Sequence, residues 1–380
     1  MSPVVKTQYH SWCTGNLSEG CIQCVNGRKL VLFITGLCAQ RCWYCPVSEQ
    51  KFGEDVAFAN EWKISDPKNP VELFEEARLT NATGAGITGG DPLVLTERCV
   101  EYIKLLKKRF GKEFHIHLYT PLKLVTQERL KKLYDAGLDE IRFHPNIEDK
   151  TLWDRLNLAK QFKWKIGIEI PVIPFLEKEM KELIDYAKGK IDFINLNELE
   201  RSDTQTSHYK IDERNLKQKD AISYGVKGSK ELALKLLKYA QSKGLAAHFC
   251  TAKLKDSVQM KNRLQIRAKN AKYDFDEMTE EGLLLRGCAY LKQLAPGAGY
   301  REKIKQADKQ KLLRELEIIR KTVLSKWETP IEIDSEKLRI ILPIEFVKKH
   351  KLALKKIGVI LAIVEEYPTA DAIEMTVDFL

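Results

Sequence analysis

The sequence predicts an α/β protein built on a partial (β/α)6 barrel, with a short Cys-rich N-terminal extension and a small β-rich C-terminal domain. Three observations predict it. Short β-branched runs alternate with amphipathic helical stretches from residue 29 to about 254, which means parallel strands joined by right-handed crossovers. Candidate polar residues fall at the ends of several of those runs, as at the rim of a barrel rather than along one edge of an open sheet. After residue 329 the pattern becomes short apolar strands.

Lys29–Thr35 (KLVLFIT) is apolar and β-branched and reads as a buried strand; a Cys-rich loop follows it. Asn69–Arg78 is helical and Ala85–Thr88 is a short strand. Thr96–Phe110 is helical and Phe114–Tyr119 a strand. Gln127–Ala136 is a helix that Gly137 caps. Glu140–Phe143 is a strand, Asp149–Gln161 helical, Lys165–Val172 a strand, Leu176–Ala187 helical and Phe193–Leu196 the sixth strand. Glu200–Lys230 lacks periodicity and is a long loop of lid type. Ser229–Lys243 is a helix and Leu245–Cys250 a seventh strand. Lys255–Lys269 and Arg301–Lys326 are helical, and residues 255–328 form a helical extension. LRIILPI, GVILAIVEE and IEMTVDF supply the strands of the last domain, residues 329–380.

No run of 18 apolar residues is present, so no transmembrane helix is expected. The N-terminus lacks the basic start and apolar stretch of a secretory signal, which points to the cytoplasm. In that reducing compartment nine cysteines are not disulfides, and six of them lie within the first 45 residues, which marks a site. The net charge of +10 allows an anionic partner; a Lys/Glu-rich surface is the plainer explanation.

The central motif is Cys38-Ala-Gln-Arg-Cys42-Trp-Tyr-Cys45. Four-iron clusters normally take four cysteines. Three thiolates in one tight loop leave one iron open to a small ligand. A structural zinc loop would need a fourth ligand close by. Cys13, Cys21 and Cys24 precede this loop, and Asn26-Gly27 is a two-residue hairpin signal. That signal would fold residues 21–25 back along the first strand, beside which the seventh strand is the natural neighbour. An auxiliary metal site follows from Cys21, Cys24 and Cys250, with Cys13 or Cys288 as fourth ligand, filled by an iron–sulfur cluster or by zinc. Cys99 sits in a helical repeat and reads as core.

The Cys-x3-Cys-x2-Cys loop with an aromatic before its last cysteine resembles the radical S-adenosylmethionine (SAM) superfamily, over Lys29 to about Leu199. The resemblance implies a 4Fe–4S cluster on Cys38, Cys42 and Cys45. Its open iron binds SAM, and one-electron cleavage releases a 5′-deoxyadenosyl radical; the cofactor supplies the hard chemistry. It places Tyr44 as the usual aromatic. Gly89, Gly90 and Asp91 (in TGGDP) take the place of the segment whose backbone receives the SAM amino group, with Asp91 replacing the family's Glu. Ile168, with Gly167 and Glu169, lies where adenine packs. Further cofactor candidates at strand ends are Tyr119, with His117 and Thr120; Arg142, as a fork for the SAM carboxylate; His144; and Asn195, with Asn197 and Glu198.

Over the whole chain, the CxxC plus GLCxxxCxxCP region, TGGDP, NLNELE and EEYPTAD resemble a mostly archaeal group related to pyruvate formate-lyase activating enzymes. That relatedness concerns the barrel and does not set the substrate. Two basic stretches suggest RNA. Lys253–Lys272 has seven Lys/Arg against Asp256, and Phe346–Val364 has five lysines and no acid. The expectation is therefore tRNA nucleoside modification, with a ferredoxin- or flavodoxin-type electron donor. The alternatives are radical modification or activation of a protein or peptide, and a metal-stabilised RNA-binding module without catalysis. No cobalamin-binding domain is recognisable.

Overall fold

A computed structural model describes residues 3–380. The chain forms two compact units, Met1–Arg263 and Leu264–Leu380.

The first unit opens with strands β1 (Val4–Lys6) and β2 (Trp12–Thr14), helix α1 (Glu19–Val25) and strand β3 (Lys29–Phe33). A small hairpin, β4 (Phe58–Ala59) and β5 (Trp62–Lys63), comes next. The alternation then runs α2 (Val71–Leu79), β6 (Gly84–Thr88), α3 (Thr96–Phe110), β7 (His115–Pro121), α4 (Gln127–Ala136), β8 (Glu140–His144), β9 (Lys165–Val172), α5 (Glu177–Ala187), β10 (Phe193–Glu198), α6 (Ser229–Ser242) and β11 (Ala246–Cys250). A short turn, α7 (Ala252–Leu254), leads through a π-helix at Lys255–Met260 into α8 (Lys261–Ala271), where the division between the units falls.

The sheet order is β1-β2-β11-β10-β9-β8-β7-β6-β3-β4-β5, with β3 and β6 to β11 all parallel to their neighbours in that series. This is the predicted partial barrel, extended by the seventh strand. The seventh strand does not neighbour the first: β11 lies between β10 and the antiparallel β2, at the far end of the sheet from β3. The short segment Trp12–Thr14 carries no periodicity from which its pairing could be read.

The helices form where expected for local reasons. The Thr126 hydroxyl accepts from the Arg129 amide at 3.3 Å and caps α4, and Gly137 ends it at φ +103°. Residues 19–25 are helical instead of folding back as a hairpin. Asn26-Gly27 is the end of α1, with Gly27 at φ +69°. The Trp153–Gln161 segment is a 3₁₀-helix rather than an α-helix.

Each barrel strand is buried on both faces, as parallel strands are. One face is apolar: Leu32, Ile87, Leu118, Phe143, Ile168, Leu196 and Phe249 belong to the core under the helices. The other face is polar by the two-residue period. It carries His117 and Tyr119, Glu140 and Arg142, Glu169, Asn195, and His248 with Cys250. Helix α1 packs on this face so closely that a Cβ on Gly20 would lie 2.6 Å from both Arg142 Nη2 and the His117 ring.

The second unit is an antiparallel sheet, built from β12 (Glu277–Met278), β13 (Leu284–Leu291), β14 (Glu332–Asp334), β15 (Arg339–Leu342), β16 (Val359–Glu366) and β17 (Glu374–Phe379). Its order is β14-β15-β13-β16-β17, with β12 on β13. Helices α9 (Tyr300–Gln306), α10 (Lys309–Leu324), α11 (Ile344–Lys349) and α12 (Lys351–Lys356) complete it. The boundary predicted at 328/329 lies inside this unit, because β13 pairs with both β15 and β16. The long helix expected over 301–326 is broken at Ala307-Asp308, where Asp308 caps α10.

Buried Glu366 holds this second sheet together. Arg339 Nη2 donates to both its oxygens at 2.6 and 2.7 Å, Arg286 reaches it at 2.9 Å and Lys337 at 3.1 Å. Burial pushes this carboxyl up, but the three cations outweigh burial and hold it at about 2, against an ordinary 4.5. A depressed carboxyl contributes stability above its unfolded value and loses it as pH falls toward its folded one. The urea midpoint of the transition that includes this unit is expected to fall between pH 4.5 and about 2. Glu366→Gln should be less stable at pH 6 and show a flatter pH slope; an unchanged slope would remove Glu366 from this role.

Candidate active site

The C-terminal ends of the barrel strands enclose a cavity of about 390 Å3, within the range of small-ligand sites. Cys38, Cys42 and Cys45 line it from the loop after β3. Thr88, Gly89 and Gly90 line it from the end of β6, Tyr119 and Thr120 from β7, His144 from β8, Glu169 and Pro171 from β9, and Asn197, Glu198 and Glu200 from β10 and beyond. Lys255 enters from the π-helix after β11.

Backbone bonds fix the cysteine loop against the strand-end glycines. Gly90 N–H donates to Thr35 O and Asp91 N–H to Leu37 O, both at 2.8 Å. A Cβ on Gly90 would sit 2.4 Å from Leu37 O, and Gly89 holds φ +149° with its own Cβ position 2.4 Å from Thr35 O. Here glycine is required by close approach as well as by conformation. On the outer side, the long loop after β10 ties down the same cysteine loop: Lys210 N–H donates to Trp43 O at 2.7 Å and Thr204 Oγ1 to Val47 O at 2.9 Å. Tyr44 OH and His144 Nε2 share a hydrogen bond of 2.9 Å. Trp43 turns outward, with its indole N–H on Glu148 and its ring stacked on Phe175 beneath Arg214.

The thiols carry the chemistry of the loop. Burial, and then the nearby Cys45 and Cys38 thiolates, push Cys42 up to about 12; burial also drives Cys38 up to about 11 and raises Cys45. Three thiolates that repel one another around one cavity fit a polycationic iron core, which removes the repulsion. Among the described residues no three His, Cys, Asp or Glu groups converge on one point. A cubane does not need that, because its cysteines bind different irons. The donor set therefore fits a 4Fe–4S cluster, which Cys38, Cys42 and Cys45 would hold.

Several predicted residues lie elsewhere. Asp91 is fully buried and structural: it caps the turn at Leu93 N (3.0 Å) and accepts from Thr120 Oγ1 (2.8 Å). The side chain of Ile168 points into the apolar core, so the cavity-lining groups of β9 are Glu169 and Pro171. Arg142 is 1% exposed and already committed, to Glu140 at 2.5 Å and Glu169 at 2.8 Å, so it offers no free fork to a SAM carboxylate. Asn195 lies one layer below the cavity, donating to Glu169 Oε2 at 2.9 Å and to Cys21 Sγ at 3.1 Å. Of the auxiliary candidates, Cys21, Cys24 and Cys250 gather below the cavity. Cys13 stands opposite His248 on β2. Cys288 is fully buried in the core of the second unit. Cys99 is core, with its thiol on Pro92 O.

Glu198, Glu200 and Lys255 form the acidic and basic rim. Glu200 and Lys255 are ion-paired. Lys255 was not identifiable as a site residue from its place in a basic run; only the π-helix turns it into the cavity. Burial outweighs the hydrogen bond with the Glu169 backbone and the Glu169 charge and leaves His144 below its ordinary value, so its imidazole is neutral at pH 7.

The profile of the radical SAM superfamily matches residues 32–164. A Methanocaldococcus jannaschii protein named "putative glycyl-radical enzyme activating enzyme" is 45% identical over 281 residues, covering 71% of this chain and 73% of that relative. The GTP 3′,8-cyclase of Staphylococcus aureus is 28% identical over 185 residues, 43% of this chain and 51% of that protein. The solved coproporphyrinogen III oxidase of Escherichia coli aligns at 14% identity and a TM-score of 0.33, over 60% of this chain and 57% of that one, a likeness too distant to carry an argument. With its three-cysteine loop at the mouth of a partial barrel, this chain belongs to the radical SAM superfamily of enzymes.

Proposed function

We propose that this enzyme directs radical chemistry at a protein or peptide, as an activating enzyme does, rather than at tRNA. The observation that carries the reading is the 45% identity, over most of both chains, to a relative bearing the activating-enzyme name. The charge of the cavity supports it. Glu169, Glu198 and Glu200 line it against Lys255 and a neutral His144. Such a lining suits a sulfonium cation and a neutral peptide backbone, and repels a polyphosphate strand. The tRNA expectation rests on basic stretches, part of which are engaged locally: Lys348 pairs with Glu345, and Arg263 with Glu61.

The bound cluster and SAM supply the one-electron cleavage that yields 5′-deoxyadenosine. The chain's own residues do the rest. Gly89 and Gly90 bring backbone against the ligand space, Tyr44 and His144 brace the cysteine loop, and Glu169, held by Arg142, Asn195 and Asn197, presents a fixed carboxylate. Burial raises the Glu169 carboxyl, but Arg142 and Lys29 hold it at about 2, so it stays ionised. Nine free cysteines suit a reducing compartment, with a ferredoxin- or flavodoxin-type carrier as electron donor.

Deuterium transfer separates the substrates. Protein labelled with [2-2H]glycine and RNA labelled with deuterated ribose, each prepared from the host, are incubated anaerobically with enzyme, SAM and dithionite. Deuterated 5′-deoxyadenosine is expected from the protein fraction. Deuterium arriving from the RNA fraction alone overturns the reading.

A further inference from the structure

Below the cavity, on the polar face of the barrel, lies a group of ligating side chains that the SAM site does not use. Cys21 and Cys24 stand three residues apart on α1 and so share a helix face. On β11 the Phe249 side chain enters the apolar core, so His248 and Cys250, one residue either side, point together to the opposite face, where α1 lies. Cys250 is within electrostatic reach of both Cys21 and Cys24. His248 is 5% exposed and lies beside the Cys21 thiol, and among the described residues no other group comes within hydrogen-bond distance of its ring nitrogens. A buried imidazole with at most one thiol as partner is costly, and a ligated metal satisfies it.

We propose that Cys21, Cys24, His248 and Cys250 hold a second, polynuclear iron–sulfur cluster inside the barrel, one side-chain layer beneath the SAM cavity. A cation lies near each cysteine, Arg142 near Cys21, Lys29 near Cys24 and Lys255 near Cys250, and the same cations also serve Glu140, Glu169 and Glu200. Arg142 Nη1 and Asn195 Nδ2 already donate to Cys21 Sγ, at 3.6 and 3.1 Å, the kind of N–H···S contact that tunes a cluster's potential. A single zinc ion would bring all its ligands within about 2.3 Å of one point. No such convergence occurs among the described residues, whereas a cluster spreads its ligands over several irons, as at Cys38, Cys42 and Cys45. Cys13, paired with His248 across β2 and β11 and so on the same face, is the alternative fourth ligand.

Glu169 ties the two sites together: it lines the cavity and bonds the same Arg142 and Asn195 that contact Cys21. The proposal does not depend on which substrate the enzyme attacks.

The test removes the SAM cluster and asks what stays. The full chain carrying Cys38→Ala, Cys42→Ala and Cys45→Ala, reconstituted anaerobically with iron and sulfide, is expected to keep about half the wild-type iron and sulfide and to show cluster signals in Mössbauer spectra. Adding Cys21→Ser and Cys250→Ser should remove both. His248→Cys, made in the triple-Ala chain, should keep the cluster, alter its reduced EPR spectrum and lower its potential, because imidazole ligation raises it. A triple-Ala chain with wild-type circular dichroism but no iron and sulfide overturns the proposal, as does zinc in their place. An unchanged EPR spectrum and potential in His248→Cys overturns the fourth ligand.

Discussion

Cys42→Ala is expected to bring 5′-deoxyadenosine formation to background while the chain stays folded. Cys42 occupies the middle of the thiolate trio, where both neighbours act on it. Its side chain lines the cavity and belongs to no apolar core cluster, so alanine removes a ligand and little packing. Two remaining thiolates cannot hold a cluster with a single open iron. Cys99→Ala is the control. It deletes a fully buried thiol that bonds Pro92 O in the core, and should cost stability but keep turnover. The measurement is anaerobic product formation alongside circular dichroism. Wild-type turnover in Cys42→Ala would remove the cluster assignment, and equal loss in Cys99→Ala would mean that folding is being read instead of ligation.

Arg142→Met is expected to produce the largest loss of stability in the barrel. The guanidinium binds Glu140 and Glu169, Tyr119 OH at 3.2 Å and Ser18 Oγ at 2.9 Å. It thus joins β8 to β7, to β9 and to the segment leading into α1. Methionine fills much of the same volume but leaves buried Glu140 without its arginine and half-buried Glu169 with Lys29 alone. Breaking a buried pair in this way costs roughly 3–5 kcal/mol, a large part of a total stability of about 5–15 kcal/mol. Urea denaturation at pH 7 reads the loss. Adding Glu140→Gln removes one of the stranded charges and should recover part of it, a non-additivity expected of direct contacts. A single variant within about 0.5 kcal/mol of wild type, the range of ordinary surface changes, would show that the network is not what holds α1 and β8 together. Activity should fall as well, because Glu169 in the cavity is positioned by this arginine.

Local order was legible wherever the chemistry lies within a few residues. The barrel strands were legible from their β-branched runs, α4 from Gln127 to the Gly137 cap, and the cysteine loop from its spacing. The Gly89-Gly90 turn was also readable, because only glycine tolerates so close a neighbour. Which face of a strand meets which partner was not. A shift of one position separates Ile168, in the core, from Glu169, in the cavity. Arg142 reads as an open fork until Glu140, two residues away, and Glu169, from the next strand, are brought to it. Asn26-Gly27 reads equally as a hairpin turn or a helix end, and only packing against the barrel selects the helix. The pairing of β2 with β11, the entry of Lys255 through a π-helix and the meeting of α1 with His248 and Cys250 join residues far apart in the chain. Residue type, spacing and period belong to the sequence itself. The partners of each buried charge belong to the tertiary structure, because a charge is stabilised by whatever lies within a few ångströms, and chain order does not determine that distance.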